Sequence, residues 1–534
     1  MSEQQLSSAR VPAQASGPAA ALAPPADPRR WKALAVLALV QFMLILDVTV
    51  VNVALPHIQT DLHFSRAGLA WVVDGYVLMA GGFLLLGGRL SDLFGRRRLF
   101  LLGLAVFGTA SALCGAAQSS GMLVGARFAQ GIGEALAAPA ALGLVALLFP
   151  DPSERTKALG LWGGIAGLGG TTGTIISGVL TNIGHGTWRW IFFVNIPVAA
   201  FALIATPRLV KESRATRSAV RGRPDVLGAL TVTGGLVALV YGLLRASEVP
   251  WGSRSVVLAL VGGVILLAAF VVVERTTGEP LVPMRFFSNR TRVTANVVTL
   301  FFTSAFFTYF FLQTLYLQQV LHWSPLKTGM AYIPVGVGIG LSIAVGTALM
   351  PKIGVRWLLT IGFLFAGTGL LLVGNITTAG GYTGEVLPGM VILAIGAGLC
   401  FPGFGNASLH EVTSQDASLA SGVQNAVQQV GGAIGLAVLA TIALRHSSHA
   451  IAHGVHPAQA ATDGYSLSFR VAAVVLYIGA VVSVIFMRNV RSTPIQPGME
   501  EIALGDDSGT APARVGAAGT DATIGVAGVG PAEA

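Results

Sequence analysis

Fourteen long apolar runs fill most of this chain and leave very few folds open to it. They cover residues 32–56, 69–90, 98–118, 122–147, 156–181, 188–206, 226–246, 255–274, 293–320, 327–350, 355–376, 384–408, 417–444 and 469–489. A helix of about 20 residues crosses the hydrocarbon layer of a bilayer. Because hydrocarbon offers the backbone no hydrogen-bond partners, such runs predict a bundle of membrane-spanning helices in contact with lipid.

The composition agrees with this assignment. Of 534 residues, 53% are hydrophobic and 11% are charged, whereas a soluble domain has about 25% charged residues. The net charge of +9 does not form a basic patch, because Arg and Lys lie between the apolar runs, so no nucleic-acid partner is expected. Cys114 and Cys400 both fall inside apolar runs, so neither a disulfide, a metal nor a cofactor is expected.

Arg and Lys are concentrated in the loops that follow even-numbered runs, as at Arg96, Arg97 and Arg98. Positively charged loops stay in the cytoplasm, so this bias predicts a plasma-membrane protein with both termini cytoplasmic. The two tails, 1–30 and 490–534, are rich in Ala, Gly and Pro and are expected to be disordered.

An internal repeat divides the runs into two sets. Gly87, Leu90, Gly95, Arg97 and Leu99 recur at one constant offset as Gly346, Leu349, Gly354, Arg356 and Leu358. We therefore expect an all-α polytopic membrane protein with two pseudo-symmetric six-helix bundles, 31–206 and 293–489. Two inserted transmembrane helices with cytoplasmic linkers occupy 207–292. Parallel repeats of this kind are typical of secondary transporters with a site between the halves.

Charged residues inside apolar runs are costly and mark ion or substrate paths, and the first half contains three: Asp47, Arg127 and Glu134. Counted along their helices, Asp47 and Arg127 lie at similar depth, so they are expected to pair or to exchange a proton-linked charge; a static ion pair is the alternative. Glu134, about 10 Å deeper on the same face, is a second candidate for protonation or for binding a cationic compound. Asp74 is expected at the wet end of its span, without a coupling role.

Other polar side chains inside the runs are candidates for a substrate pocket, although hydrogen bonding between helices is an equally open interpretation. They are Asn52, Gln130, Tyr309, Gln313, Asn406, Gln424 and Gln428. The histidines 446, 449, 453 and 456 are expected in an exposed loop, since Gly454 and Pro457 argue against a continuous helix there.

Four segments resemble motifs of a known family. They are Gly88-Arg-Leu-Ser-Asp92-Leu-Phe-Gly95-Arg96, Leu46-Asp47-Val-Thr-Val-Val-Asn52, Arg127-Phe-Ala-Gln130-Gly131 and Trp188-Arg-Trp-Ile-Phe-Phe-Val-Asn195. They resemble the major facilitator superfamily, in particular its fourteen-span drug:proton antiporters of the EmrB/QacA type. The resemblance implies a monomeric, non-enzymatic transporter that exports drugs, antibiotics or other small amphipathic compounds in exchange for protons by alternating access. It also implies a conformational latch at Gly88, Asp92, Gly95 and Arg96.

The fifth run departs from the antiporter motif of that family. Gly169, Gly173 and Gly178 match it, but Thr174 replaces the proline and Ser177 a glycine. Small residues still allow close helix packing. The missing proline leaves a second function open, proton-coupled uptake of a nutrient or siderophore, and a third is a receptor or scaffold without transport. No phosphate-binding Gly-x-x-x-x-Gly-Lys-Ser/Thr segment occurs, so an ATP-driven pump is not expected.

Overall fold

The computed structural model describes residues 29–489, apart from 66, 150, 182–185, 213–224, 279, 409 and 413–416, and apart from certain helical side chains such as those of 163–171. The predicted disordered tails lie outside the described residues, except for their innermost positions. No strand occurs in the described part of the chain.

The described residues form sixteen α-helices. In chain order they are α1 Arg30–Asp61, α2 Trp71–Phe94, α3 Arg96–Gly115, α4 Ser120–Leu148, α5 Pro152–Thr181, α6 Trp190–Phe193, α7 Asn195–Leu209, α8 Val226–Arg245, α9 Arg254–Thr276, α10 Arg290–Leu315, α11 Pro325–Ala331, α12 Ile333–Ile353, α13 Val355–Val373, α14 Leu387–Ser408, α15 Ala417–Ala452 and α16 Pro457–Phe486.

Thirteen helical segments of the described chain are long and apolar enough to cross a membrane, with α6 and α7 together forming one of them, Thr187–Leu209. Helix α5 also runs beside α1 over most of its length. Arg30 bonds Glu154 at 2.7 Å at one end, and Ser177 donates to the Val50 carbonyl at 2.5 Å near the other. The total of fourteen spans stays a prediction.

Glycines bring helices together in the same way in both halves. A Cβ placed on Gly103 of α3 would lie 2.7 Å from the carbonyl oxygen of Gly133 in α4. In the second half, a Cβ on Gly362 of α13 would lie 2.9 Å from the carbonyl oxygen of Gly396 in α14. Backbones that approach this closely leave no room for a side chain, which is typical of packing between membrane helices.

The turn between the second and third spans is also repeated. Gly95, between α2 and α3, has φ 107°, and its repeat partner Gly354, between α12 and α13, has φ 83°. Residues with a side chain rarely adopt such φ angles, whereas glycine does so without a steric penalty. The sequence repeat therefore corresponds to a repeated backbone conformation.

The two halves meet closely at one face. We call the face where α1 begins and α16 ends the tail face, and the opposite one the far face. At the far face, Gln318 donates to the Val53 carbonyl at 2.7 Å, and Gln319 donates to the Gln59 side chain at 2.8 Å. Gly178 of α5 packs there on the backbone of Pro325. The halves are therefore held together at the far face in this conformation.

Helix α8 contacts both halves. On one side, Thr233 packs against Gly82 of α2. On the other side, Thr441 of α15 donates to the Leu243 carbonyl at 2.8 Å, and Arg445 donates to the carbonyls that follow α8. Helix α9 packs on α8 and is largely exposed, with Leu258 at 71%, as expected of a helix that faces lipid.

Candidate functional site

A buried ion pair joins α1 to α4. Arg127 Nη1 lies 2.5 Å from Asp47 Oδ2, and the two side chains are 1% and 0% exposed. Arg127 Nε also donates to the Val72 carbonyl of α2 at 2.8 Å, and its guanidinium lies over the Tyr76 ring at 4.3 Å. The contact predicted from matching depth is confirmed, and Arg127 connects three helices.

Amide side chains surround the Asp47 carboxylate. Its Oδ1 accepts from Gln130 at 3.0 Å and from Asn195 at 2.7 Å. Both amides also donate to the Ser111 hydroxyl, at 3.1 and 2.9 Å. The Gln130 oxygen accepts from Arg127 at 2.9 Å. Such donors stabilise a buried negative charge. Gln130, a predicted pocket residue, is fully buried within this network.

Asn195 is a site residue that the sequence analysis placed only within a motif. It begins α7, directly after the short α6 and Val194, and is buried. Its position brings the sixth span into contact with Asp47 of the first. The signal available in the sequence was an asparagine inside an apolar run, where an amide needs a partner.

Glu134 lies on α4 nearly two turns beyond Arg127 towards the tail face, as predicted. Its side chain is half-buried, next to Tyr76. Neither its buried Oε2 nor the Tyr76 hydroxyl has a hydrogen-bond partner among the described residues. Glu134 therefore lies next to Tyr76 and close to the charge network.

Asp74 differs from the prediction. It was expected at the wet end of its span, but its side chain is only 1% exposed. Neither carboxylate oxygen has a hydrogen-bond partner among the described residues. The prediction was wrong because it considered only depth along α2, whereas burial depends on neighbouring helices that are distant in sequence.

The remaining pocket candidates fall into two groups. Three donate to other residues: Asn52 to the Val48 carbonyl, Asn406 to that of Pro402 and Gln424 to the Thr299 hydroxyl. Tyr309 and Gln313 are fully buried in α10 without a polar partner in the described structure, and Gln428 is half-buried. The interpretation as contacts within or between helices therefore holds for the first group.

A row of aromatic rings follows α10 beside these residues. Phe306 stacks on Phe302 at 5.3 Å between ring centroids and meets Phe310 at 5.0 Å. Phe310 stacks on Tyr332, which lies between α11 and α12, at 5.2 Å, and Phe401 of α14 lies 6.2 Å from Phe306. Phe306, Phe310 and Phe401 are only half-buried, so part of this aromatic surface remains accessible.

Two of the predicted latch residues, Asp92 and Arg96, bond to each other and to α4 of the first half. Asp92 pairs with Arg96 at 3.0 Å, and Arg96 also donates to the Gly143 carbonyl of α4 at 3.2 Å. Beyond α7, Glu212 accepts from the Arg97 backbone at 3.2 Å. In this conformation the Asp92–Arg96 pair therefore lies within the first half. Gly88 lies in α2 near Pro139 of α4.

The antiporter-motif helix α5 is continuous through Thr174. Gly173 packs directly against Thr49 of α1, and Gly178 against Pro325. Gly169 lies in α5, but its surroundings are outside the described side chains. The packing expected of small residues is present at the two described glycines.

The histidine prediction also needs correction. Helix α15 continues to Ala452, so His446 and His449 lie on a helix rather than in a loop. His449 and His453 face each other at 4.2 Å. No group of three or more metal-ligating side chains occurs in the described residues.

Comparison with known proteins places these observations in a family. Residues 37–436 match the family model described as Major Facilitator Superfamily. The puromycin resistance protein of Streptomyces alboniger is 40% identical over 464 residues, covering 86% of this chain and 91% of that protein. The cephamycin export protein of Amycolatopsis lactamdurans is 34% identical over 475 residues, covering 88% and 95%.

A solved structure shares the fold. An inward-facing, unoccupied bacterial homologue of the human lysosomal transporter Spinster superposes with a TM-score of 0.62 at 17% identity, covering 86% of this chain and 97% of that one. At that identity the likeness concerns the fold alone. From the family match, the relatives and the helical bundle, the chain is a multi-pass membrane protein that belongs to the major facilitator superfamily of transporters.

Proposed function

We propose that this protein exports antibiotics or similar small amphipathic compounds in exchange for protons. The observation that carries the proposal is the buried Asp47–Arg127 pair. Its carboxylate is the group best placed to bind a proton in place of its pairing with a cation. Relatives named for puromycin resistance, lincomycin resistance and cephamycin export support the direction of transport.

Protonation of Asp47 provides the coupling step. A proton on the carboxyl removes the charge that pairs with Arg127, and an unpaired buried guanidinium costs about 3–5 kcal/mol. Because Arg127 connects α1, α2 and α4, relief of that cost requires these helices to shift. Glu134, half-buried and next to Tyr76, is the natural group to pass protons between the tail-face side and the network.

The accessible rings of α10 and α14 form the substrate surface of the second half. Phe306, Phe310 and Phe401 offer flat apolar area, and Gln428 of α15 is a candidate for a hydrogen bond to the compound. Apolar walls with a few polar groups are typical of sites for drug-sized compounds. The charged groups would thus lie in one half and most of the substrate surface in the other.

The same proposal covers the topology. We expect 31–206 and 293–489 to move against each other, with 207–292 as an insertion and the latch at Gly88, Asp92, Gly95 and Arg96 closing in the alternate state. The Arg and Lys bias places the tail face in the cytoplasm. All groups invoked belong to one chain, so a monomer suffices.

Proton-coupled uptake remains the alternative, and its motivation is Thr174 in place of proline.

The test uses an efflux-deficient host that expresses the wild type, Asp47→Asn or Asp463→Asn. Asp463 receives the same chemical change but is half-buried on α16, outside the Asp47 network, where it accepts from Gln459 at 2.8 Å. We expect wild type and Asp463→Asn to confer resistance against a panel of antibiotics, and Asp47→Asn to lose it at equal protein level.

Membrane vesicles then separate coupling from binding. Addition of a transported compound should move protons in wild-type vesicles and not in Asp47→Asn vesicles, and a protonophore should abolish export. Resistance that survives both Asp47→Asn and the protonophore would contradict proton exchange. Accumulation of a nutrient in expressing cells would favour the uptake alternative.

A further inference from the structure

Asp74 is a buried carboxyl that the proposed coupling network does not use. It lies in the first turn of α2, near the far face, with its side chain 1% exposed. Both of its oxygens are buried without a hydrogen-bond partner in the described structure. Asp47, by contrast, accepts bonds from three side chains.

The start of α2 does not supply the missing donors. The amide of Leu69 already bonds the Ser65 carbonyl, and that of Ala70 bonds the Ala67 carbonyl. The amide of Trp71 bonds the carbonyls of Gly68 and Leu69. The backbone before Asp74 is therefore satisfied, and a helix terminus does not solvate the carboxylate.

Helical periodicity directs Asp74 towards the second half of the protein. It lies seven residues before Gly81, on the same face of α2, and Gly81 packs against Gln429 of α15. From Val293 to Val320, and from Ala417 to Leu444 in α15, the sequence contains no charged residue. On the first-half side, Arg127 is held by Asp47, and Asp61 pairs with Arg189.

The contact between the halves beside the start of α2 leaves little room for water. Leu69, just before α2, borders a void of about 10 Å³ together with Gln59 and Gln319, the hydrogen-bonded pair of the far face. A void of that size holds at most one water molecule. An ionised carboxylate without partners in such a place costs several kcal/mol, so the group takes up a proton instead.

We propose that Asp74 is a second proton-binding site and that the far face closes only after Asp74 has taken up a proton. In this conformation the neutral acid is sealed between the halves. When the Gln59–Gln319 and Val53–Gln318 contacts break, Asp74 reaches water and can ionise, and the resulting charge opposes closure. The inference rests on the proposed proton exchange and adds a condition for closure that Asp47 does not impose.

The test follows the far face directly, without substrate. Cysteines at the exposed positions Thr60 and Lys327, one in each half, carry spin labels, and the distance distribution between them is measured from acidic to alkaline pH; native Cys114 and Cys400 are buried. We expect the wild type to shift from short to long distances as pH rises. In Asp74→Asn the distance between the labels should stay short at every pH. In Asp74→Glu, which keeps a carboxyl group, the pH-dependent shift should be present.

Infrared spectroscopy provides an independent readout. The carbonyl band of a protonated carboxyl should be present in the wild type and in Asp463→Asn, and its Asp74 component should be missing from Asp74→Asn. A wild-type pH shift in Asp74→Asn, or an unchanged band, would overturn the proposal. If Asp47→Asn keeps substrate-driven proton exchange, the proposed coupling through Asp47 fails, while the distance measurement still decides the role of Asp74.

Discussion

Two aspartates on neighbouring helices of one bundle have opposite surroundings. Asp47 is paired with Arg127 and accepts from Gln130 and Asn195, whereas Asp74 has no polar partner in the described structure. Donors stabilise the ionised form and their absence favours the neutral one. Residue type and depth alone therefore do not decide what a buried acid does.

The amide of Asn195 should contribute measurably to stability. Asn195→Ala removes hydrogen bonds to Asp47 and Ser111 and should lower the free energy of unfolding by about 1–3 kcal/mol. Denaturant unfolding of the purified protein measures this. The control is Asn406→Ala, because that exposed amide bonds only its own helix at Pro402. Equal stability losses in the two variants would argue against a special role for Asn195.

The sequence was sufficient to predict the Asp47–Arg127 contact, because two charges at equal depth in adjacent apolar spans have few other partners. It was not sufficient for Asp74. Its burial depends on helices that pack on α2 from distant parts of the chain, such as α4, whose Phe128 lies against Gly75, and α15, whose Gln429 lies against Gly81. Periodicity within α2 contains no information about these contacts.

Among the helices, an arginine caps the third span of each half. Arg189, just before α6, donates to the Gly115 carbonyl at the end of α3 at 3.1 Å. Arg470 of α16 donates to the Gly374 carbonyl, just past the end of α13, at 3.1 Å. Such bonds satisfy carbonyls that a helix leaves open at its end. The pseudo-symmetry thus extends beyond the repeated loop motif.

The repeated turn makes Gly95 sensitive to substitution. Gly95→Ala forces a side chain to φ 107° and brings its Cβ to 2.6 Å from Glu212 Oε1, so we expect a stability loss of about 1–3 kcal/mol. Gly121→Ala, at a position with nothing within 4 Å, is the control and should change little. Thermal unfolding of both variants measures the difference, and a neutral Gly95→Ala would mean that the turn relaxes easily.

Helix positions followed well from the apolar runs, but some ends did not. Helix α15 continues through His446 to Ala452, although histidines after an apolar run resemble a loop. Part of the reason is tertiary: Arg445 donates to the Ala246 and Val249 carbonyls after α8, which holds this end of α15 against the inserted helices.

For the molecule as a whole, the far-face contacts predict that a cross-link there stops transport. Gln59→Cys combined with Gln319→Cys replaces two side chains that touch at 2.8 Å. A short thiol-specific cross-linker should join them and abolish export, while either single variant treated in the same way should keep it. Export that continues after complete cross-linking would show that these ends need not separate.

The repeat was enough to predict two equivalent halves, but not how they are joined along their sides. Helix α8 lies between α2 and α15 because Thr233 fits against Gly82 and Thr441 reaches the Leu243 carbonyl. An insertion has no repeat partner, so symmetry offers no guide to its place.

The buried charge pair of the described spans, Asp47–Arg127, lies in the first half. This location has a consequence for how such proteins diversify. The part proposed to couple transport to protons and much of the surface proposed to recognise the compound lie on separate stretches of the gene. Mutations that reshape the aromatic row of α10 and α14 can then change which molecule is removed without touching Asp47 or Arg127. A lineage that meets new toxins could adapt by varying one half while inheriting the other intact.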